Sequence, residues 1–265
     1  MKIGIAQLDC DLGDVDANVR KIASVARRAA DAGCGLVVFP EMADTGYNID
    51  VIKRLASACD SGPCRVLRGL AANLEINIVC GFSERDGDDV YNSAAVIDTQ
   101  GKPLGKYRKT HLFSMIGEDR NLSRGDSLTL VDVGGFKTGV MICYDLRFPE
   151  QARALALQGA ELIVVIAAWP ERRVEHWKLL TAARAVENQV YVAAVNRVGV
   201  DGGITFGGCS RVLDPFGAAV AEADGESDTL LFAELRRERL DEVRSAMHVF
   251  KDRRPDVYGS LMPGA

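Results

Sequence analysis

Three residues of this 265-residue chain, Glu41, Lys109 and Cys143, have the types and settings to share chemistry. Glu41 and Cys143 each come at the end of an apolar stretch, and Lys109 at the end of a strand-like one. Leu36-Val37-Val38-Phe39 runs to Pro40-Glu41, Leu104 to Arg108 runs to Lys109, and Gly139-Val140-Met141-Ile142 stops at Cys143. Short runs of this kind read as strands, and open α/β sheets collect ligands and reactive groups at the carboxyl ends of their strands. A thiol there, just before a helix begins, would lie among unpaired backbone N–H groups whose field favours the thiolate. A thiol nucleophile needs a base, and a carboxylate held in a dry pocket can act as one; Glu41 is the candidate. Attack on an amide or nitrile carbon builds negative charge, which an ammonium at Lys109 and the backbone N–H of Tyr144 could stabilise. A lysine buried beside a thiol stays charged only if acidic neighbours outweigh its desolvation. A second carboxylate is therefore useful, and Glu118 could hold Lys109 or guide a leaving group.

Taken singly, each residue has a plainer reading. Cysteine is often a small core hydrophobe, a glutamate at a strand end is commonly a solvated loop residue, and Lys109 closes the basic run Lys106–Lys109, which reads as surface charge. Their joint placement on strand ends is what favours a site.

The elements that must position them can be read from the pattern. Lys2 to Gln7 alternates as a strand, and Val19, Ile22, Ala23, Ala26, Ala29 and Ala30 recur at helical spacing behind a candidate N-cap at Asp14 or Asp16, with Gly33 and Gly35 closing the helix. Helical patterns over Asp50–Cys59 and Cys64–Leu74 are split by Ser61-Gly62-Pro63. Strands over Asn77–Phe82, Tyr91–Ile97 and Leu104–Arg108 are joined by turn-rich segments and read as antiparallel neighbours. Thr110 to Asp126 reads as a long polar loop with Glu118 in its middle. A hairpin of Leu128–Val133 and Phe136–Ile142 delivers Cys143, and Pro149 falls in the first turn of a helix ending near Gln158. Leu162–Ala167, a helix over Val174 to Asn188, and Tyr191–Asn196 come next, then a glycine-rich loop over Asp201–Gly208. The hairpin Ser210–Leu213 with Ala218–Ala223, the strand Leu230–Leu235 and a charged helix from about Arg236 to Met247 complete the pattern. No linker or low-complexity segment divides the chain, so residues 1–265 read as one α/β domain. The tail, about 248–265, could dock on a partner subunit.

Composition narrows the function classes. With 32 basic and 37 acidic residues the net charge is −5, too mild for a nucleic-acid partner and without a basic block for anionic lipid. The start reads directly as a strand rather than a signal peptide, and the longest apolar run, Leu162 to Trp169, is too short to span a bilayer; a cytoplasmic protein with no membrane partner is expected. The seven cysteines, at 10, 34, 59, 64, 80, 143 and 209, make neither a disulfide framework nor a C-x-x-C pair. His111, His176 and His248 are too scattered for a metal site and read as structural. Arg147 and Glu150 read as a pair bracing the turn beside Cys143. Trp177 reads as core and Trp169 as pocket lining.

Phe39-Pro40-Glu41, Lys106-Tyr107-Arg108-Lys109-Thr110-His111-Leu112 and Ile142-Cys143-Tyr144-Asp145-Leu146-Arg147-Phe148-Pro149 resemble, in order and spacing, the three signature segments of the nitrilase, or carbon–nitrogen hydrolase, superfamily. The similarity extends from Ile3 to about Leu235. The resemblance implies a four-layer αββα sandwich with two mixed β-sheets, and a Glu–Lys–Cys site of Glu41, Lys109 and Cys143 that uses no cofactor. It also implies a thioester intermediate hydrolysed by water, and a homodimer or larger homo-oligomer. A second glutamate often comes after the lysine in this family, and Glu118 is the nearest residue to fill that place.

Lys109-Thr110-His111-Leu112-Phe113 with Gly117-Glu118, Ala168-Trp169-Pro170 and His176-Trp177 further resemble bacterial omega-amidases acting on 2-oxoglutaramate-like acids. Such a substrate carries a carboxylate, which Arg172 or Arg173 would meet, with Tyr144 and Trp169 beside it. A nitrilase or an N-carbamoyl amidase would use the same three residues. A non-catalytic dimeric interaction protein on the same scaffold is the reading from another class. One cysteine reacting much faster than the rest with iodoacetamide would speak for catalysis.

Overall fold

The computed structural model describes residues 1–258. In chain order the elements are β1 (Lys2–Gln7), α1 (Val15–Asp31), β2 (Leu36–Val38), α2 (Ile49–Leu55), α3 (Gly62–Leu74), β3 (Asn77–Asp86), β4 (Asp89–Ile97), β5 (Pro103–Arg108), α4 (Glu118–Asn121), β6 (Leu130–Val133), β7 (Phe136–Ile142), α5 (Pro149–Leu157) and β8 (Leu162–Ala167). Then come α6 (Val174–Asn188), β9 (Tyr191–Asn196), β10 (Val200–Asp201), β11 (Ile204–Thr205), β12 (Arg211–Leu213), β13 (Ala219–Glu222), β14 (Thr229–Glu234), α7 (Arg237–Ala246) and α8 (Pro255–Tyr258).

Two six-stranded mixed sheets result, ordered β14-β1-β2-β3-β4-β5 and β13-β12-β9-β8-β7-β6. β1, β2 and β3 run parallel in the first, as do β7, β8 and β9 in the second; the flanking pairs are antiparallel. The central strands are buried on both faces, which is why they are continuous apolar runs rather than alternating ones. Three apolar layers result. Ile3, Ile5, Leu36, Val38 and Val79 of one sheet pack against Val140, Ile142, Val164, Ile166 and Val195 of the other. The outer face of the first sheet is covered by Ile22, Val25, Ala26 and Ala29 of α1 and Leu67 and Ala71 of α3. The outer face of the second is covered by Ala152 and Leu155 of α5 and Trp177 and Ala185 of α6. This is the αββα sandwich, and it sets the carboxyl ends of β2 and β7 side by side.

Several local expectations hold closely. Asp14 caps α1, its carboxylate accepting from Ala17 N–H at 2.9 Å; β8 and α6 take the bounds read from the sequence. Others shift for physical reasons. The helix expected to Cys59 ends at Leu55 because Ser57 leaves it to bridge β3, donating its N–H to Ser83 O at 3.1 Å and accepting from Arg85 N–H at 2.9 Å. The expected long loop of Thr110 to Asp126 contains a 3₁₀ turn at Ser114–Ile116 and the short α4, both too brief to leave a periodic signature. Part of the tail folds back on its own chain: Phe250 packs on the α5–α6 layer, under the guanidinium of Arg153 at 5.5 Å. The rest of the expected docking tail, residues 259–265, lies outside the described residues. Among the described residues no helix is long and apolar enough to cross a membrane.

Candidate active site

Glu41 comes three residues after β2, Lys109 directly after β5 and Cys143 directly after β7. The structure brings all three together. Lys109 Nζ lies 2.9 Å from Glu41 Oε1, and 3.0 and 2.9 Å from the two carboxylate oxygens of Glu118. The Cys143 thiol lies beside this group and feels the charges of Glu41, Lys109 and Glu118. Lys109, Glu41 and Glu118 are all buried, their side chains 0% exposed, so Glu118 points inward and meets the lysine as expected.

Close backbone approaches fix these groups. Gly81 of β3 lies under the Glu41 turn, where a Cβ would come within 2.4 Å of Pro40 O and 2.7 Å of Glu41 Cα; only glycine admits that contact. Met42 and Cys143 both have left-handed backbones, at φ +49° and +48°, a conformation that costs on the order of 1–2 kcal/mol for a non-glycine residue and collects at functional sites. Asp145 holds the Cys143 turn. Its carboxylate accepts from Ile142 N–H at 2.8 Å, from Tyr107 O–H at 2.8 Å and from His111 N–H at 3.1 Å, tying the nucleophile strand to the lysine loop. His111 is structural, as expected, its ring stacked on Phe148 at 3.7 Å.

Two carboxylates and one ammonium carry a net charge of −1, and neutral donors compensate the excess. Glu41 Oε2 accepts from Ala168 N–H at 2.7 Å, and Glu41 Oε1 from Asn92 Nδ2 at 2.6 Å. Glu118 accepts from Tyr47 O–H at 2.7 Å, Phe113 N–H at 2.6 Å and Asn92 Nδ2 at 3.1 Å. Burial alone would strip Lys109 of its proton, yet Glu118 and Glu41 outweigh it and hold the ammonium well above its ordinary range. Burial would likewise raise Glu118, but Lys109, Phe113 N–H and Tyr47 keep its carboxyl below its usual value.

The expected thiolate at Cys143 is corrected. Burial first, then the charge of Glu41, push the thiol well above the ordinary range, and Glu118 adds to this against the opposing pull of Lys109. Cys143 opens a five-residue 3₁₀ turn, Cys143–Arg147, too short for a helix field to offset two carboxylates. The resting group is a thiol beside a carboxylate.

A pocket opens above Cys143, walled by Phe113, Tyr144, Trp169 and Phe206, with Arg172 and Arg173 at it as expected. Trp169 lines it, donating Nε1–H to Arg173 O at 2.7 Å, while Trp177 lies fully buried behind. The expected Arg147–Glu150 pair does not form: Glu150, in the first turn of α5, is exposed. Arg147 instead lies over the Trp169 ring at 4.7 Å and lines the pocket. Among the described residues none of Arg147, Arg172 and Arg173 is ion-paired.

Asn92, Tyr47, Ala168 N–H and Asp145 were not legible as site residues. The one local signal was Asn92-Ser93 inside the apolar strand Tyr91–Ile97, where a buried amide requires partners. Asn92→Leu keeps the volume but removes the donor shared by both carboxylates. It is expected to lower kcat about 10- to 100-fold, the range for losing a hydrogen bond to a charged group, with KM little changed. A kcat within twofold of the parent enzyme would show that the amide is mere packing.

The profile of the carbon–nitrogen hydrolase family matches residues 2–245. The chain belongs to that family. Among its relatives, the 2-oxoglutaramate amidase of Bacillus subtilis is 34% identical over 97% of this chain and 98% of its own length. The human omega-amidase NIT2 is 33% identical over 92% of each chain. A crystallised amidase from Nesterenkonia sp. AN1, carrying acrylamide added at its active-site cysteine, superposes with a TM-score of 0.87 at 29% identity, covering 99% of this chain and 100% of that one. This carbon–nitrogen hydrolase is of the amidase type, which sets aside the reading as a non-catalytic interaction protein.

Proposed function

We propose that the protein is an omega-amidase that hydrolyses 2-oxoglutaramate-like acids through a thioester at Cys143. One observation carries the reading: a buried Lys109 clasped by two carboxylates beside a thiol, opening on a pocket with three guanidiniums that no carboxylate pairs among the described residues.

Cys143 Sγ attacks the amide carbon as Glu41 takes the thiol proton, so the thiolate exists only as it is consumed. This suits a thiol whose resting state is protonated. The oxyanion that forms is met by the Lys109 ammonium and Tyr144 N–H. Glu41 returns its proton to the nitrogen, the C–N bond breaks, and ammonia leaves a thioester. Glu41 then takes a proton from water, whose oxygen attacks the thioester. The C–S bond breaks, the acid departs and the thiol is restored. Throughout, Glu118 stays on Lys109, fully occupied by its own donors.

The aromatic walls suit the methylene chain of a short acid, and the guanidiniums suit its carboxylate. Arg173 is held below its usual value by burial and by repulsion from Arg172 and Arg147, a repulsion that a bound anion relieves. Replacing the arginine that meets the carboxylate by alanine is expected to raise KM for 2-oxoglutaramate about 10- to 100-fold, the range for a charge-assisted hydrogen bond. KM for a neutral amide of similar length should not move. Unchanged KM values for Arg147→Ala, Arg172→Ala and Arg173→Ala would sink the acid-substrate reading, and turnover of nitriles or N-carbamoyl acids in its place would select the other branches.

A cytoplasmic homodimer or larger homo-oligomer accompanies this reading. Leu179 and Val186 on α6, 68% and 50% exposed, give it an apolar face. Light scattering of the purified chain measures the assembly directly.

A further inference from the structure

Away from the pocket, the chain folds back on itself just before α3. Ser61 N–H and Ser61 Oγ both reach Ala58 O, at 3.0 and 3.1 Å, and Arg65 N–H reaches Ser61 O at 3.3 Å. Gly62 makes the turn at φ +49°, where a Cβ would stand 2.6 Å from Ser57 Oγ, so a side chain would push the turn open. The turn sets Cys59 and Cys64, the third residue of α3, in one apolar layer between the helices and the first sheet. Each thiol shifts the other, Cys64 lowering Cys59 and Cys59 raising Cys64. Cys59 is partly exposed and Cys64 is buried.

We propose that Cys59 and Cys64 form a thiol–disulfide exchange site, separate from the catalytic pocket, which takes small disulfides of the glutathione type. The partly exposed sulfur attacks and the buried one resolves. Cys59 thiolate attacks one sulfur of the small disulfide, forming a mixed disulfide and releasing one thiolate, which takes up a proton. Cys64 then gives its proton to solvent and attacks Cys59 sulfur, releasing the second thiol. Two protein thiols are oxidised to one disulfide and one small disulfide is reduced to two thiols.

The electrostatics agree with this division of roles. The Cys64 thiol, aided by Lys106 and opposed by burial, brings Cys59 down to about 7, near the optimum for an attacking thiol at neutral pH. Cys10, Cys34, Cys80, Cys143 and Cys209 are all pushed up, burial being the first cause in each. Fast labelling of one cysteine by iodoacetamide is therefore expected at Cys59, and it does not report on catalysis.

The test uses the folded, reduced enzyme treated with oxidised glutathione at neutral pH, with the products mapped by peptide mass spectrometry. The parent enzyme should lose two hydrogens as a Cys59–Cys64 disulfide. Cys64→Ser should stop at one glutathione on Cys59, and Cys59→Ser should leave Cys64 unmodified. In the reduced state both variants should keep ammonia release within about twofold, as substitutions away from a site do. A first adduct on any other cysteine, a Cys64–Cys80 bridge, or no reaction at Cys59 of the parent enzyme would overturn the proposal. The parent mapping stands even if a variant fails to fold.

Discussion

Cys143→Ala is expected to lower ammonia release by about 10⁴-fold or more, the scale on which removing a covalent nucleophile acts, while leaving the fold intact. The site is built so that nothing else can substitute. Glu41 is spoken for by Lys109, Asn92 and Ala168 N–H, and its remaining function is to exchange a proton with the thiol. With the sulfur gone, water would have to attack a bound amide directly, a poorer nucleophile on a carbon that is not thioester-activated. Cys143→Ser is expected to fare little better, because the hydroxyl is still harder to deprotonate and Glu41 must do so unaided. The raised thiol also fixes the sign of a pH effect. Alkylation at Cys143 should accelerate as pH rises toward the thiol's displaced range. Ammonia release that survives in folded Cys143→Ala would refute the mechanism.

Lys109→Met is expected to abolish activity and also to destabilise the fold by about 3–5 kcal/mol, the usual cost of leaving buried charge unpaired. Glu41 and Glu118 both touch Asn92 Nδ2 and both reach Lys109 Nζ; without the cation, two carboxylates face each other in a dry interior. The pH dependence separates this from a packing defect. In the parent enzyme Glu118 is held below its usual value, so its stabilisation is complete above about 4.3 and fades as pH falls through the depressed value. In Lys109→Met the repulsion raises the carboxylates instead, so their penalty is present at neutral pH and fades as one of them takes up a proton. The stability gap between the two proteins should therefore narrow on acidification. Lys109→Met with Glu118→Gln should regain most of the stability at neutral pH and none of the activity, since the oxyanion still lacks its ammonium. Urea unfolding of the three proteins across pH, with ammonia release measured in parallel, tests both halves. A gap that does not change with pH would assign Lys109 a packing role only.

The apolar runs of β2 and β7 determine by themselves that Glu41 and Cys143 stand on strand ends, because a strand buried on both faces must be apolar throughout and its first polar residue marks the exit; β5, an edge strand carrying Lys106 and Arg108, gives Lys109 no such mark. The periodicity of α6 and the cap at Asp14 are likewise local properties, written in neighbouring residues. Tertiary structure alone decides what the site residues are to one another. Asn92 and Glu41 are 51 positions apart, and Ala168 and Glu41 127 apart; such contacts depend on sheet register and on how the two sheets stack, which no local pattern encodes. Arg147 reads from sequence as the partner of Glu150, yet the turn after Cys143 aims it at Trp169. Cys143 reads as a thiolate at a helix start, yet folding sets it beside Glu41 at the floor of the pocket and makes it a thiol. Residue type sets what a group can do, while the charge it carries at rest is set by burial and neighbours, and those exist only in the folded chain.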